Sequence, residues 1–271
     1  MPVGATCAHC HVIGPETRFP YQSDHFKPPE APKEMLAERL RLLGIDRAVI
    51  VQPPCYGTNN SITLDAIAGS GGRYRGVALV DETFTDAKLQ SLHDGGVRGI
   101  RFHFVPHLRD RPDLGVFRRM TDRVRELGWH VLILLDAVQL TELAAVLREL
   151  RVPFVIDHMA RIAAADGLDQ QPFRELLALL ELENCWVKIS GADRISAAGP
   201  PFHDAIPFAQ AILAAAPDRV LWGTDFPHPN VTRFMPDDAD LVDLVPLYAP
   251  DPKILHKLVV GNPARLYGFD P

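Results

Sequence analysis

The chain has few cysteines, no long apolar run and no surplus of positive charge. Four cysteines (Cys7, Cys10, Cys55 and Cys185) in 271 residues give no disulfide framework, which suits a reducing compartment. No apolar stretch reaches the roughly 18 residues of a membrane-spanning helix, so no membrane partner is expected. The first residues lack the basic segment and apolar segment of a secretory leader, and the expected location is the cytoplasm. A formal net charge of −6 provides no general basic field for nucleic acid or an anionic membrane. An anionic small molecule would have to be met by a local arginine cluster. No polar linker divides the chain. What remains is 47% hydrophobic and 23% charged, with ample material for a core.

What is present is an alternating pattern. Short apolar, β-branched runs at 5–13, 47–52, 74–80, 97–104, 129–135, 153–158, 185–190 and 219–225 read as strands. Ala48-Val49-Ile50-Val51 lacks alternation, as a strand covered on both faces should. Helical periodicity follows each run, at 33–43, 60–68, 86–94, 114–127, 140–150, 172–182, 204–215 and 252–260, with a last turn at 262–267. Met35, Leu36, Leu40 and Leu43 share one face, and so do Phe117, Met120, Val124 and Leu127. Eight strand–helix units predict an α/β chain folded as a single (β/α)8 TIM barrel over residues 1–271. A doubly wound sheet is the alternative.

In such a barrel the functional groups sit at the C-terminal strand ends. Those ends carry His9 and His11, Gln52, Arg101 and His103, Asp157 and His158, Lys188 and Ser190, and Asp225. Strands 3 and 5 end in Val80 and Leu135, without an obvious catalytic group. His9 and His11 are two apart, so both imidazoles face one side of the pleat and can grip one metal ion or one carbonyl oxygen. Asp225 follows Val220-Leu221-Trp222-Gly223-Thr224, and a carboxylate at a buried strand end is costly unless it is paired or working. Arg98 and Arg101 point to opposite sides; Arg101 is the candidate for the mouth, where a guanidinium can take a carboxylate in bidentate fashion. Arg194 lies just past strand 7. Cys7-Ala8-His9-Cys10-His11 also matches a haem-attachment pattern, which the missing export signal argues against. Thr58-Asn59-Asn60 reads as a helix cap.

His9-Cys10-His11-Val12-Ile13-Gly14-Pro15, Gly96-Val97-Arg98-Gly99-Ile100-Arg101-Phe102, Asp157-His158-Met159 and Leu221-Trp222-Gly223-Thr224-Asp225-Phe226-Pro227-His228-Pro229-Asn230 resemble the amidohydrolase superfamily. More narrowly they resemble its 2-pyrone-4,6-dicarboxylate lactonase-like branch. Gly261-Asn262-Pro263-Ala264-Arg265-Leu266-Tyr267-Gly268 fits as well, so the resemblance spans nearly the whole chain. It implies a hydrolase that opens a small anionic lactone, with Asp225 as the general base. His9, His11 and His158 would hold and polarise the carbonyl; Arg101, Arg194 and Asn230 would bind substrate. His103 and His107 complete the candidate substrate-binding set. His107 stands where the branch carries a second arginine, Leu132-Ile133-Leu134-Leu135 where it carries a tyrosine, Pro54 where it carries a serine, and Ala160 where glycine is usual. A lactone isomerase is the alternative activity, and a zinc-dependent decarboxylase a more distant one.

Metal-dependent members of the superfamily generally place a further His on strand 5, which here ends in leucines. Arg101 pointing into the site would repel a divalent cation. The expectation is catalysis that requires no cofactor; if zinc or another divalent metal is used, its ligands are His9, His11 and Asp225.

Overall fold

Eight short strands line up in chain order, each parallel to the next, in the computed structural model, which describes residues 1–23, 26–108, 112–231 and 233–270. They are β1 (Thr6–Cys10), β2 (Arg47–Val51), β3 (Tyr74–Ala78), β4 (Val97–His103), β5 (His130–Leu134), β6 (Phe154–Ile156), β7 (Cys185–Lys188) and β8 (Val220–Leu221). The ladder breaks off after Leu221, but the backbone beyond it turns to β1. Ala8 N–H donates to Trp222 O at 2.8 Å, Asp225 N–H to His9 O at 2.9 Å, and His11 N–H to Phe226 O at 2.7 Å. These bonds close the sheet into a barrel, and the sequential strand order rules out the doubly wound alternative. Gly223 is what permits so close an approach: a Cβ there would stand 2.5 Å from His9 N and 3.0 Å from His9 Cα.

The helices are α1 (Lys33–Leu42), α2 (Ser61–Ala68), α3 (Asp86–Asp94), α4 (Leu114–Arg125), α5 (Ala137–Arg148), α6 (Gln171–Leu179), α7 (Ala192–Ile195), α8 (Ile206–Ala215), α9 (Asp238–Tyr248), α10 (Pro252–His256) and α11 (Asn262–Tyr267). Leu36 and Leu40 of α1 and Phe117, Met120 and Val124 of α4 belong to the same buried cluster as the strand residues Ile50, Ile100 and Ile133. That cluster forms the layer between strands and helices. The barrel interior is a second cluster: Ala8, Val49, Val51, Val77, Leu132, Val155, Trp186 and Leu221, with Tyr267 and Phe269. Tyr267 packs edge-on against His130 at the start of β5. Phe269 lies under the guanidiniums of Arg47 and Arg75, at the starts of β2 and β3. The C-terminal residues thus plug the N-terminal end of the barrel and leave its other end for polar groups.

Three of the differences from the sequence reading have a clear local cause. The predicted strand 219–225 contributes only Val220 and Leu221 to the ladder, because Asp225 adopts a positive φ of 64° and leaves strand geometry. Helix α5 starts at Ala137 instead of 140; Asp136 and Gln139 form a reciprocal capping box that moves the start back by a turn. Helix α9 was not anticipated. Pro246 lies inside it and argues for a break, yet Asp237 caps its start and Leu241, Leu244 and Val245 are buried. Packing of that apolar face outweighs the lost hydrogen bond.

Candidate active site

Above the apolar interior lies a floor of charged side chains almost wholly removed from water. Its centre is Asp225, 3% exposed. The turn that carries Asp225 is left-handed at three positions, Asp225, His228 and Asn230, and Asp and Asn tolerate that region better than most residues. His11 Nε2 lies 3.3 Å from Asp225 Oδ1, His9 Nε2 3.6 Å and His158 Nε2 4.0 Å from the same oxygen. The other oxygen, Oδ2, accepts from Arg194 Nη2 at 2.8 Å. The same Nη2 donates to Pro229 O at 2.9 Å, which ties α7 to the turn after β8.

The β1–β2 register shifts between Cys7 and Cys10. This irregularity lies at the start of the His-x-His pair and leaves both rings on the Asp225 side. His11 Nδ1 donates to Val51 O at 2.7 Å. His158 follows β6 in a run of four positive φ angles, from His158 to Arg161. Its Nδ1 is 3.0 Å from Ser190 Oγ. Gly191, with φ +77°, leaves the room this needs: a Cβ there would meet His158 Cβ at 2.8 Å.

Beneath the histidines runs a second tier. Arg101 Nε and Nη2 both donate to Asp157 Oδ2, at 3.1 and 2.8 Å. Lys188 Nζ stands 3.4 Å from Asp157 Oδ1 and 3.1 Å from His9 Nδ1. Lys188 and Asp157 are fully buried. Arg101 and Lys188 against Asp157 leave one net positive charge under the site.

These contacts set the protonation states. Burial alone would raise the Asp225 carboxyl, but His158 and Arg194 outweigh it and hold it well below the usual range. Burial lowers His158 to about 4, so that imidazole is neutral at pH 7 and Arg194 is the standing cation. Burial and then Lys188 hold His9 well below its ordinary value. For Asp157, burial is outweighed by Lys188, His9 and Arg101, and the carboxyl stays ionised. Burial lowers Lys188 to about 8, against the pull of Asp157. Carboxylates held ionised next to neutral imidazoles suit proton abstraction near neutral pH.

The floor opens into a cavity of about 360 Å³. His11, Arg101, His158, Arg194, Asp225 and Asn230 line it, joined by Arg161 and by an apolar wall of Phe26, Pro54, Leu108, Leu134 and Pro229. A larger groove, about 700 Å³, lies on the outer wall between α4 and α5; its lining, with Arg118, Arg125, Glu126, Glu149 and Arg151, contains no histidine and is remote from Asp225. Of the candidate residues, His9, His11, His158, Asp225, Arg101, Arg194 and Asn230 converge. His103 is half-buried at the end of β4 and does not line this cavity. The side chain of His107 lies outside the described residues. Thr58-Asn59-Asn60 does precede α2: Asn59 Oδ1 accepts from Ser61 N–H at the helix start, at 3.2 Å, while Asn60 binds across to Leu79, with both N–H and O. Asp157, Lys188 and Arg161 were not singled out as site residues. Their signal was present, since Asp157 and Lys188 sit at strand ends, but nothing in the sequence said that they meet.

Two imidazoles and a carboxylate fit a divalent metal by chemistry. The ligand atoms of His9, His11 and Asp225 lie within 4.8 Å of one another, as do those of His9, Asp157 and His158. Among the described residues no helix is long and apolar enough to cross a membrane.

A parallel eight-stranded barrel with His-x-His at the end of its first strand, a histidine after its sixth and an aspartate after its eighth defines a class of barrel hydrolases. The sequence model of the amidohydrolase family matches residues 8–269, and the chain belongs to that family. It is 43% identical to a 2-pyrone-4,6-dicarboxylate hydrolase of Comamonas testosteroni, over 98% of this chain and 91% of the relative. It is 41% identical to a 4-sulfomuconolactone hydrolase of Rhizobium radiobacter, over 99% of this chain and 91% of the relative. An apo crystal structure of an Agrobacterium tumefaciens protein superposes with a TM-score of 0.89 at 28% identity, covering 100% of this chain and 98% of that one. With relatives of this kind along its whole length, the chain is a hydrolase.

Proposed function

We propose that the whole chain works as one barrel domain that opens a small lactone carrying one or more carboxylates, by attack of water, with Asp225 as general base. The observation that carries this reading is the convergence of three imidazoles on one oxygen of an ionised, buried carboxylate whose other oxygen is held by Arg194. The two hydrolase relatives support the substrate class, since both act on ring esters bearing acidic groups.

The steps follow from what each group can do. His11 Nδ1 is committed to a carbonyl, so His11 meets the site through Nε2, beside Asp225 Oδ1. A water placed there donates to Asp225 and keeps its own lone pair for the substrate carbonyl. Asp225 takes the proton as the C–O bond forms and returns it to the ring oxygen as the ring opens. His9 and His158 face the carbonyl oxygen from the other side of the floor. The net positive charge of Arg101, Lys188 and Asp157 lies beneath it and favours the oxyanion. Arg194, Arg161 and the cavity face of Arg101 meet the substrate carboxylates, and Asn230 at the rim meets a polar edge.

His9, His11 and Asp225 are the residues that would hold a metal, and a zinc ion there would supply an acidified water. A metal-free route is proposed because three cations, Arg101, Lys188 and Arg194, already surround the same few ångströms. They oppose a further divalent charge and make it unnecessary for an activated ester.

The test is acid release from pyrone dicarboxylate, muconolactone-type and sugar-acid lactones, followed with a pH indicator before and after chelation. Acid release that survives chelation is expected. Activity lost on chelation and restored by zinc would overturn the metal-free route. Interconversion of lactones without acid release would make the chain an isomerase. Asp225→Asn should lower kcat by about 10²–10⁴-fold while ligand binding, read by calorimetry, persists; retained turnover would remove Asp225 from the role of base.

A further inference from the structure

His9 and His11 both aim Nε2 at Asp225, but their buried ends are built differently. His11 Nδ1 faces the carbonyl of Val51 at 2.7 Å. A carbonyl only accepts, so this nitrogen carries hydrogen. His9 Nδ1 faces Lys188 Nζ at 3.1 Å, within hydrogen-bond geometry. Asp157 Oδ1 is 3.2 Å from the same nitrogen, yet that oxygen makes no hydrogen bond of acceptable geometry among the described residues. The in-plane direction of His9 Nδ1 is therefore given to the lysine. An ammonium has three N–H groups and no lone pair. Lys188 is the buried counter-charge of Asp157, so it can only donate, and His9 Nδ1 can only accept.

We propose that Lys188 is a positioning residue that fixes His9 with its proton on Nε2, so that His9 presents a donor beside Asp225 Oδ1, the opposite arrangement to His11, whose Nδ1 carries hydrogen. His9 Nε2 is buried and has no hydrogen-bond partner among the described residues. At 3.6 Å from Asp225 it is too far for a good bond to that carboxylate. A donor left in this position is satisfied by an oxygen that arrives with the substrate. The use of that donor to hold a lactone carbonyl rests on the lactonase reading; the position of the proton does not.

The same arrangement bears on metal binding. A ring nitrogen that carries hydrogen cannot ligate, so loading a divalent cation onto His9 Nε2 requires its proton to move to Nδ1, against Lys188. Without the lysine, Nδ1–H can turn to Asp157 and form the carboxylate–histidine pair that commonly supports a metal ligand. Lys188 thus biases the trio of His9, His11 and Asp225 away from a metal clamp.

The experiment uses the full chain, ring-labelled with 15N-histidine, free of substrate and metal, with His9→Asn and His11→Asn variants to assign the signals. Long-range 1H–15N correlation spectra should show hydrogen on Nε2 of His9 and on Nδ1 of His11. Lys188→Met should move the His9 hydrogen to Nδ1 and raise zinc affinity, measured by equilibrium dialysis, at least tenfold. Lys188→Arg, which keeps a cationic donor, should retain the wild-type pattern. Hydrogen on Nδ1 of His9 in the wild type would overturn the proposal by itself, even if Lys188→Met fails to fold. In that event Lys188→Gln, uncharged but still a donor, replaces it: weakened preference for Nε2–H is expected, and an unchanged spectrum would remove Lys188 from the role. Failure of the lactonase reading would leave all these spectra unaltered and appear only as absence of acid release.

Discussion

Replacing Gly223 with alanine tests whether the approach of β8 to β1 sets the active-site geometry. The new Cβ would lie 2.5 Å from His9 N, 2.9 Å from His9 Cβ and 3.0 Å from His9 Cα. Two of those atoms are backbone, so no side-chain rotation relieves the clash. Opening the gap to an ordinary 3.4 Å contact moves the segments apart by about 0.9 Å. Overpacking of this kind costs about 1–3 kcal/mol. The motion also stretches the bonds from Ala8 N to Trp222 O and from Asp225 N to His9 O, each contributing about 1 kcal/mol. A loss of about 2–5 kcal/mol is expected, which lowers Tm by about 5–15 °C in a chain of this size. The functional effect should exceed what stability explains, because Asp225 and His9 sit on the two segments forced apart. A displacement near 1 Å costs about 100-fold in rate. Thermal unfolding by circular dichroism and kcat on the best lactone, taken well below Tm, check both parts. A variant within 1 kcal/mol of wild type and with undiminished kcat would refute the claim that this contact positions the base.

Arg194→Met should raise the Asp225 carboxyl, since the cation that holds it low is gone. The base must be ionised to act, so the acidic limb of the kcat/KM profile should move to higher pH; Arg194→Lys should restore most of it, and an unmoved limb would uncouple the two residues. Asp157→Asn leaves Arg101 and Lys188 buried without their shared counter-charge, and a loss of about 3–5 kcal/mol is expected in urea unfolding. Because the Asp157 carboxyl is held below its unfolded value, its contribution is complete above the ordinary carboxylate range and lost as pH falls through the folded value. The difference between wild type and variant should therefore shrink in acid; a constant difference would point to packing instead of charge. Arg161→Met should raise KM for a dicarboxylate lactone more than for a monocarboxylate one, and equal effects would place Arg161 outside the substrate.

Much of the fold was legible because it rests on local patterns. Ala48-Val49-Ile50-Val51 is apolar without alternation and mostly β-branched, which a short strand covered on both faces satisfies. Pro246 lies inside α9, where packing overrules a local rule: Leu241, Leu244 and Val245 bury a face that no window of sequence can weigh against one missing hydrogen bond. The capping box at Asp136 and Gln139 is a signal of the sequence, but the apolar pattern by itself starts the helix at Leu140. At the site, His9 and His11 could be read from their spacing of two, and Asp225 from its place after an apolar run. His103 shared the same strand-end signal as Arg101, yet only Arg101 reaches the cavity.

By itself the sequence determined which residue types stand at the strand ends and that eight units repeat, since hydrophobic period and strand-end position are properties of neighbours along the chain. Only the tertiary structure decided who pairs with whom. Asp157 meets Arg101 and Lys188, and His9 meets Lys188 across 179 residues. The proton positions and charges of the site follow from those meetings, because burial and opposite charge act through space, and the chain order carries no record of either.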